Sequence, residues 1–320
     1  MLLEVKNLKT YFRTARGIMK AVDDVSFELA SGEALGLVGE SGCGKTTCAL
    51  SIVRLLPKEG YIESGEILLN GEDLARLSEK EIRAHRWKDV SIVFQGAMNA
   101  LNPVMTVGRQ IAEAIELHDR LDPPAALQKA ADMLELVEIP RDRVNRYPHE
   151  FSGGMKQRAM IAMALACNSK VVIGDEPTTA LDVMIQAQIL DLLEKLRKQV
   201  DMGLILITHD LSILSETCDR IAVMYAGKIV ETGTADDIFE DAQHPYTQKL
   251  TACFPDIYSR KVIPQGIEGF PPDLIDPPNG CRFHPRCEHA MEICRQVEPG
   301  TISLGNRHQV ACHLAEMQHA

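Results

Sequence analysis

Residues 39–47 form a complete phosphate-binding loop, and no other feature of the sequence limits the possible folds as strongly. The apolar run 34–38 before the loop predicts a buried strand, and residues 48–53 after it predict a helix. This strand–loop–helix context is required because glycine N–H groups and a helix N-terminus together bind phosphate oxygens. The loop residues expected to contact a nucleotide are Gly39, Ser41, Gly42, Cys43, Gly44, Lys45, Thr46 and Thr47.

Side chains in the second half of the loop have separate expected roles. Lys45 can reach the β- and γ-phosphates, Thr46 is the expected Mg²⁺ ligand, and Thr47 is expected to bond a phosphate oxygen. Cys43 lies near a helix N-terminus, where the pKa of a thiol tends to fall. We therefore expect alkylation of Cys43 to inhibit the protein, unless a cysteine is present there only because it is small.

The composition excludes several classes of protein. With a net charge of −11 over 320 residues, the chain lacks the basic character of a nonspecific nucleic-acid-binding protein. Residues 1–6 have no secretory signal pattern, and no run approaches the ~18 apolar residues that would span a bilayer. Nine cysteines are an odd number, which argues against a disulfide framework. We expect a cytosolic protein that can bind a membrane partner but no nucleic acid.

The order of the predicted strands and helices indicates an α/β fold. Strand-like runs and turns alternate through residues 1–95, and a helical pattern follows from about 105 to 167. Apolar runs at 171–173 and 204–207 predict parallel strands that are buried on both faces and joined by a helix. From about residue 255, prolines and glycines predict an extended connector that leads into a cysteine-rich tail.

Two carboxylates follow the strand-like run 171–174. Neighbouring residues on a strand point to opposite faces, so Asp175 and Glu176 cannot perform the same task. We assign Asp175 to Mg²⁺ and Glu176 to the general base that orients a water over the γ-phosphate. A positioned base accelerates such a reaction by about 10²–10⁴.

Residues 151–158 contain a second glycine pair directly before a predicted helix. Ser152 is a natural N-cap for a helix over residues 155–167, and Gly153 and Gly154 leave main-chain N–H groups open to phosphate. Taken alone, the segment is equally typical of an ordinary capped helix. Its meaning depends on the motifs around it.

The phosphate loop, this Ser-Gly-Gly segment and the Asp-Glu strand end, in that order, resemble the nucleotide-binding subunit of an ABC transporter. The family signature is usually Leu-Ser-Gly-Gly-Gln; here Phe151 and Met155 replace the outer residues. The resemblance covers about residues 1–255 and implies an ATPase with a P-loop NTPase core, a mixed sheet and a helical subdomain at about 96–165. Residues 256–320 are then the connector and the cysteine-containing C-terminal extension.

The resemblance also assigns roles to single residues outside these motifs. Phe12 matches the aromatic residue that stacks on adenine, with Tyr11 as the fallback. Gln95 matches the glutamine that senses Mg²⁺ and the membrane partner, and Asp182 lies in the loop that crosses the dimer interface. His209 matches the histidine that contacts the γ-phosphate.

The resemblance implies that two such subunits close head to tail on two ATP molecules. Closure drives the membrane subunits and hydrolysis resets them, with catalysis mostly by positioning and charge stabilisation. The groups of one subunit facing the ATP are Lys45, Thr46, Gln95, Asp175, Glu176 and His209. The facing groups of the other subunit are Ser152, Gly153 and Gly154.

Two further segments resemble one branch of this family, the ATP-binding subunits of dipeptide and oligopeptide importers (the DppD/OppD type). They are residues 244–250, which read His-Pro-Tyr-Thr-Gln-Lys-Leu, and residues 278–287. The branch implies a related second ATPase, two membrane permeases, an extracytoplasmic peptide-binding protein and a location at the cytoplasmic face of the inner membrane. Nickel and some sugar importers share these segments. Residues 96–103, after Gln95, depart from the usual Asp-Pro, which leaves the contact with the permease undefined.

The cysteines of the tail form a group of their own. Their spacing differs from the Cys-x₂-Cys pattern typical of structural zinc, whereas a 4Fe-4S cluster accepts varied spacings. The resemblance implies a 4Fe-4S cluster at these positions; zinc with His313 or His284 replacing one thiolate, or four unmetallated thiols, are the alternatives. The candidate ligands are Cys281, Cys287, Cys294 and Cys312. Because the tail is separated in sequence from every ATP motif, we expect it to take no part in hydrolysis.

Functions of other classes fit the sequence less well. An ABC ATPase that acts on DNA would need a long coiled coil between the phosphate loop and the signature, and the insert is too short. A ribosome-acting ABC protein would carry two ATPase domains and basic linkers. A redox or interaction module with merely structural ATP is disfavoured by the presence of both Glu176 and His209.

Overall fold

The structure is a computed structural model that describes residues 1–96, 100–179, 181–253, 266–305 and 307–319. Its contacts divide the chain into two compact units. Unit one comprises Met1–Leu2, Leu29–Glu33 and Arg76–Ile207. Unit two comprises Leu3–Glu28, Ala34–Ala75 and Thr208–Ala320.

The strands and helices are numbered in chain order. The strands are β1 (Leu3–Thr14), β2 (Gly17–Leu29), β3 (Ala34–Val38), β4 (Gly60–Leu69), β5 (Glu72–Asp73), β6 (Val90–Val93), β7 (Val171–Asp175), β8 (Gly203–Ile207), β9 (Arg220–Tyr225), β10 (Lys228–Gly233), β11 (Ile302–Gly305) and β12 (His308–Val310). The helices are α1 (Lys45–Ile52), α2 (Glu79–His85), α3 (Val107–Asp119), α4 (Pro123–Leu136), α5 (Gly153–Leu165), α6 (Val183–Val200), α7 (Leu211–Thr217), α8 (Ala235–Glu240), α9 (Pro245–Ala252), α10 (Glu292–Gln296) and α11 (His313–Gln318).

Unit one is built around three parallel strands, β6, β7 and β8. The central strand β7 pairs with β6 on one side and with β8 on the other. Every residue of β7 and β8 is buried, as predicted for parallel strands covered on both faces. The carboxyl ends of these strands meet at one edge of the sheet, where Asp175 ends β7.

The main helices of unit one begin where a side chain accepts a main-chain N–H of the first turn, which replaces a hydrogen bond that the helix itself cannot supply. The N-cap residues of α3, α4, α5 and α6 are Thr106, Asp122, Ser152 and Asp182. Helix α4 starts at Pro123, as the sequence predicts, because proline suits the first helical turn. Helix α5 starts two residues earlier than predicted, directly after Ser152.

Unit two contains two sheets. One has the strand order β2-β1-β4-β5, with β4 antiparallel to both β1 and β5. The other runs β11-β12-β10-β9-β3; β3 is parallel to β9, and the remaining pairs are antiparallel. All of β3 is buried, and the chain passes from it through the phosphate loop into α1, as the sequence predicts.

The C-terminal tail of unit two is more ordered than its sequence suggests. Residues 266–280 are irregular, in keeping with the predicted connector, but β12 then pairs with β10 and so adds strands to the body of the unit. Phe283 is 1% exposed and packs against Tyr225, with ring centroids 5.1 Å apart. An apolar side chain of the tail thus inserts into the core of the unit.

Two further features bear on the expected organisation. Within the described residues, no helix has both the length and the apolar character that crossing a bilayer requires. The boundary expected at residue 255 falls in residues 254–265, which lie outside the described part of the chain, so the division into 1–255 and 256–320 stays a prediction.

Candidate functional site

The phosphate loop of unit two has a main chain that only glycine can adopt at two positions. Gly39 has φ +152°, and a Cβ there would lie 2.0 Å from the Met224 carbonyl oxygen. Gly44 has φ +109°, and a Cβ there would lie 2.3 Å from the Ala21 carbonyl oxygen. The loop is therefore fixed by its fit against the neighbouring main chain, and its residues Ser41 and Gly42 are exposed.

Lys45, the first residue of α1, lies across the loop that precedes it. Its ammonium group donates to the main-chain oxygens of Gly39 at 2.7 Å and Glu40 at 3.1 Å. The residue is 8% exposed, so a positive charge is held at the loop with little competition from water. No side chain caps the N-terminus of α1, Thr46 is exposed and Thr47 is half-buried. These features suit the binding of a polyphosphate.

The two aromatic candidates lie side by side on β1 and differ in their surroundings. The Tyr11 hydroxyl donates to Asp23 Oδ1 at 2.7 Å, and the ring meets Tyr61 edge to face. Phe12 is half-buried and lies over Gly60, where a Cβ would come within 2.8 Å of the ring. Tyr11 is held by its hydrogen bond to Asp23, whereas Phe12 has no polar group. Phe12 therefore remains the first candidate for stacking on adenine, and this role stays a prediction.

His209 belongs to the same unit as the phosphate loop. The preceding residue, Thr208, donates its N–H to the carbonyl oxygen of Leu37 at 3.4 Å, on the strand that enters the loop. His209 follows as an exposed side chain. It is thus placed beyond the carboxyl end of β3, where the phosphate loop also begins.

In unit one, the two carboxylates that follow the Val171–Gly174 run have different environments. Asp175 is the last residue of β7 and is 3% exposed, whereas Glu176 is half-buried. Glu176 has the unusual φ of +47°, and its N–H donates to the Ile207 carbonyl oxygen at 2.9 Å. Glu176 therefore lies outside the strand, and the separate tasks of the two carboxylates stay a prediction.

The Glu176 carboxylate is held by two donors from unit one. Gln95 Nε2 donates to Glu176 Oε2 at 2.7 Å, and the Thr179 hydroxyl donates to the same oxygen at 2.9 Å. The structure therefore brings together two residues that the sequence analysis places facing the ATP, Gln95 and Glu176. Thr179 is an addition that the sequence identifies only as part of the adjoining loop. Residues 97–99, in the departure that follows Gln95, lie outside the described part of the chain.

The Ser-Gly-Gly segment forms the start of α5 in unit one. The Ser152 hydroxyl accepts the N–H of Met155 at 3.3 Å, and Gly153 and Gly154 form the first helical turn. A Cβ on Gly154 would lie 2.9 Å from Ile185 of α6. Glycine here permits close packing between the two helices.

Helix α6 begins directly after the predicted interface loop, residues 179–182. Asp182 caps this helix by accepting the N–H of Ile185 at 2.9 Å. Since Ile185 also packs on Gly154, the Ser-Gly-Gly segment and the end of the predicted interface loop are linked through one side chain. Ala180, the second residue of that loop, lies outside the described residues.

Cys43 in the phosphate loop contradicts one expectation. It is 4% exposed, and burial raises the pKa of its thiol in spite of the nearby Lys45 ammonium group. The helix N-terminus was expected to lower this pKa. The expectation is wrong because the loss of solvation disfavours the thiolate more than the local positive charge favours it.

The four tail cysteines lie near one another in unit two. The Cys281 N–H donates to the Cys294 carbonyl oxygen at 2.8 Å, and Cys294 and Cys312 are 8% and 9% exposed. Burial raises the pKa of Cys281 to about 11, and the other three thiols add to this shift. Among the described residues, no three His, Cys, Asp or Glu side chains are placed to hold a single metal ion.

The tail also contributes residues near the phosphate loop that sequence reasoning missed. Arg286 pairs with Glu40 inside the loop, at 2.6 Å, and the Tyr246 hydroxyl accepts the Glu40 N–H at 2.9 Å. Arg282 bonds Asp23 and the main-chain oxygen of Ala226. The tail is thus remote from the phosphate loop in sequence but not in space. The available sequence signal for this role was that Arg282 and Arg286 lie next to Cys281 and Cys287 in a chain that is acidic overall.

Two family models match the chain. The model described as "ABC transporter" matches residues 22–179. The model described as "Oligopeptide/dipeptide transporter, C-terminal region" matches residues 230–294. The second match includes the Tyr246 segment and three of the four tail cysteines.

Similar proteins are found over almost the whole length of the chain. The oligopeptide transport ATP-binding protein OppD of Bacillus subtilis is 50% identical over 97% of this chain and 87% of its own length. The dipeptide transport ATP-binding protein DppD of the same organism is 47% identical, covering 99% and 95%. DppD of Escherichia coli is 45% identical, covering 98% and 96%.

Solved structures with the same fold are also found. The dimeric structure of MJ0796, a bacterial ABC transporter cassette, matches 73% of this chain and 98% of its own with a TM-score of 0.65 and 26% identity. A second MJ0796 dimer, in a post-hydrolysis state bound to ADP and Pi, matches to the same extent. These matches establish an ABC ATPase cassette fold, as the sequence predicts.

Proposed function

This chain belongs to the ABC transporter family, in the branch of oligopeptide and dipeptide transport ATP-binding proteins, and we propose that it is the ATP-hydrolysing subunit of a peptide importer. The observation that carries this proposal is the 50% identity to an oligopeptide transport ATP-binding protein over 97% of the chain. The similarity extends through the tail, where the C-terminal family model matches residues 230–294. An ATPase cassette alone would not specify this branch.

We assign the chemical steps to side chains whose surroundings suit them. Lys45 holds the β- and γ-phosphates, with its ammonium group already fixed at the loop by two carbonyl oxygens. Thr46, Gln95 and Asp175 carry the oxygen atoms that suit Mg²⁺, which would neutralise phosphate charge when bound. Glu176, held in place by Gln95, accepts a proton from the attacking water.

His209 and the Ser-Gly-Gly segment complete the assignment. His209 contacts the γ-phosphate from beyond the end of β3. Ser152, Gly153 and Gly154 act on the ATP of a second subunit, because N–H groups at the start of α5 attract negative charge. The dimeric state of the MJ0796 cassette supports a pair of ATPase subunits. We propose that the second subunit is a related ATPase rather than a second copy.

The remaining partners follow from the importer class. Two membrane permeases receive the motion of the ATPase pair, and an extracytoplasmic binding protein delivers the peptide. The chain then works at the cytoplasmic face of the inner membrane as a peripheral subunit. Residues 96–103, after Gln95, are the proposed contact with a permease.

We further propose a 4Fe-4S cluster on Cys281, Cys287, Cys294 and Cys312. Its support is the proximity of four thiols, two of them buried, in a part of the chain with a small core. Tetrahedral zinc would place thiolate sulfurs only ~3.8 Å apart, given Zn–S bonds of about 2.3 Å. A cluster binds each thiolate at a different iron and therefore requires wider spacing than a single ion does. The cluster would cross-link the tail.

The function is tested by peptide uptake in cells. A strain without this chain should lose growth on a dipeptide as its only source of a required amino acid, and the wild-type chain should restore it. Glu176→Gln should not restore growth. Parallel uptake of labelled nickel and of sugars tests the other substrates known for this branch. Restored nickel or sugar uptake, with peptide uptake unchanged, would replace the peptide assignment.

A further inference from the structure

A glutamate inside the phosphate loop is bound by an arginine of the tail. Arg286 Nη1 donates to Glu40 Oε2 at 2.6 Å, and Nη2 donates to Oε1 at 3.0 Å. The Arg286 side chain is 5% exposed and that of Glu40 is 25% exposed. Two parallel charge-assisted hydrogen bonds with little access to water fix both the distance and the orientation of the pair.

The main chain of Glu40 is fixed by the same group of residues. Its N–H donates to the Tyr246 hydroxyl at 2.9 Å, and Tyr246 is fully buried. The Tyr246 ring packs against Phe283 of the tail, with centroids 5.4 Å apart. Arg286 also donates to the Tyr225 hydroxyl at 3.3 Å. Glu40 is therefore held at both its side chain and its N–H by a cluster to which the tail contributes.

The position of Glu40 matters for the lysine that binds phosphate. The Glu40 carbonyl oxygen is one of the two main-chain acceptors of the Lys45 ammonium group. A shift of Glu40 therefore moves an acceptor of Lys45, and it moves the loop N–H groups on the neighbouring residues. The bonds of Arg286 go to Glu40, to the Tyr225 hydroxyl and to main-chain oxygens of residues 267–269, so we expect its effect on ATP to pass through Glu40.

A second arginine supports the same part of the unit. Arg282 bonds Asp23 and the carbonyl oxygen of Ala226. The residue after Ala226, Gly227, donates its N–H to the Cys43 carbonyl oxygen at 2.8 Å. The tail thus supports the phosphate loop from two sides.

We infer that Arg286 is a positioning residue of the phosphate loop, through which the ordered tail sets the affinity for ATP. The inference rests on the proposed ATPase function and assigns a new role to the tail. By thermodynamic linkage, ATP must order the tail as much as the tail favours ATP. Coupling between two sites is usually 5–150-fold, and we expect roughly tenfold here.

The first test measures ATP affinity by calorimetry on the full chain. Arg286→Met keeps the apolar stem and removes the charge, and Glu40→Gln alters the pair from the loop side. Each should weaken ATP binding roughly tenfold, and the double variant should be no weaker than either single one. If the double variant shows the product of the two losses, the residues act independently and the inference fails.

A matched control breaks another ion pair between the tail and the body. Lys249, on α9, pairs with Glu288, directly after Cys287, at 2.7 Å. Lys249→Met should bind ATP like the wild type. An equal loss in Lys249→Met would mean that general loosening of the tail is the cause, which contradicts a specific role of Arg286. If Arg286→Met does not fold, the result for Glu40→Gln decides: wild-type affinity there overturns the inference.

Hydrogen exchange gives a readout that is independent of activity. ATP should slow exchange of the tail amides in residues 281–287 of the wild type, where the Arg286 N–H donates to Phe283 at 2.9 Å. This protection should vanish in Arg286→Met. Unchanged protection in the variant overturns the inference. A wild-type chain that binds no ATP at all would instead contradict the proposed function.

Discussion

Glu176 combines an uncommon main-chain conformation with a side chain held at two points. A non-glycine residue at φ +47° costs of order 1–3 kcal/mol, which the surrounding structure must offset. The N–H bond to Ile207 and the bonds from Gln95 and Thr179 provide that fixation. Such strain is typical of a position where the direction of one side chain matters.

We predict that Glu176→Gln hydrolyses ATP at least about a hundredfold more slowly, because an amide cannot accept the proton from water. The amide oxygen can still accept hydrogen bonds from Gln95 and Thr179, so ATP binding should remain. Steady-state ATPase rates and ATP titrations of the assembled transporter measure the two effects separately. Near-normal turnover would remove Glu176 from the role of base.

Lys45→Ala should primarily weaken ATP binding, in contrast to Glu176→Gln, which should primarily slow hydrolysis. It removes a charge-assisted contact to phosphate, which contributes about 1.5–3 kcal/mol. We therefore expect ATP binding to weaken by at least roughly tenfold, while Glu176 and Gln95 keep their hydrogen bond. Equilibrium titration with ATP checks this prediction, and unchanged affinity would show that the lysine does not hold the phosphates.

Cys43 should resist alkylation in the folded protein. It is 4% exposed and its pKa is raised by burial, so little thiolate is present and it is poorly accessible. Iodoacetamide should modify the half-buried Cys253 first, and Cys43 only after unfolding. Peptide mass spectrometry gives the order. Early labelling of Cys43 in the native protein would support the sequence-based expectation instead.

At the scale of elements, α9 begins at a buried histidine. His244 is 1% exposed, and its Nδ1 accepts the Tyr246 N–H at 3.0 Å, which requires the neutral ring. Burial lowers the pKa of His244 to about 3, whereas the unfolded value is about 6.5. The unfolded chain thus binds a proton that the folded chain excludes. The free energy of unfolding is therefore unaffected by this group above about pH 6.5. It decreases as the pH falls below about 6.5, because the proton then binds only to the unfolded chain.

We predict that His244→Asn reduces this acid sensitivity. Asparagine can still cap the helix through its side-chain oxygen but does not titrate. Below pH 6.5 the wild type should lose up to roughly 1.4 kcal/mol per pH unit from this group. Chemical denaturation from pH 7.5 to 5 should show a shallower decline for the variant. Identical slopes would show that His244 titrates alike in both states.

Elements with a local sequence signal could be predicted, and elements defined by distant partners could not. Strand β3, helix α4 and the buried β7 all follow from apolar runs or capping residues. Strand β12 has only three residues and exists because it pairs with β10, about 80 positions earlier in the chain. No hydrophobic periodicity in the tail sequence indicates that β12 would pair with β10.

The candidate site divides in the same way. The loop, the carboxylates and the Ser-Gly-Gly segment were identified because each is a short contiguous motif. The Arg286–Glu40 pair joins positions 246 residues apart, and Cys43 differs from expectation because its burial depends on the fold around the loop. Sequence indicated the candidate groups for the chemistry, but it could not indicate which residues support them.

At the scale of the whole molecule, we predict that a 4Fe-4S cluster on the tail cysteines cross-links the C-terminal extension. Protein purified without oxygen should be brown and contain about four iron and four sulfide per chain. Cys294→Ser should lose both, whereas Cys218→Ser, a buried cysteine outside the tail, should retain them. Stoichiometric zinc without sulfide would favour the zinc alternative. Absence of both metals in anaerobic protein would contradict any metal centre.

The central claim is that this chain converts ATP hydrolysis into peptide import. The most direct measurement is uptake of a labelled peptide into proteoliposomes that contain the complete transporter, with the binding protein on the outside and ATP enclosed. We predict uptake that requires ATP and is abolished by Glu176→Gln in this chain alone. ATP-dependent peptide uptake at the wild-type rate with Glu176→Gln, or none with the wild-type chain, would contradict it.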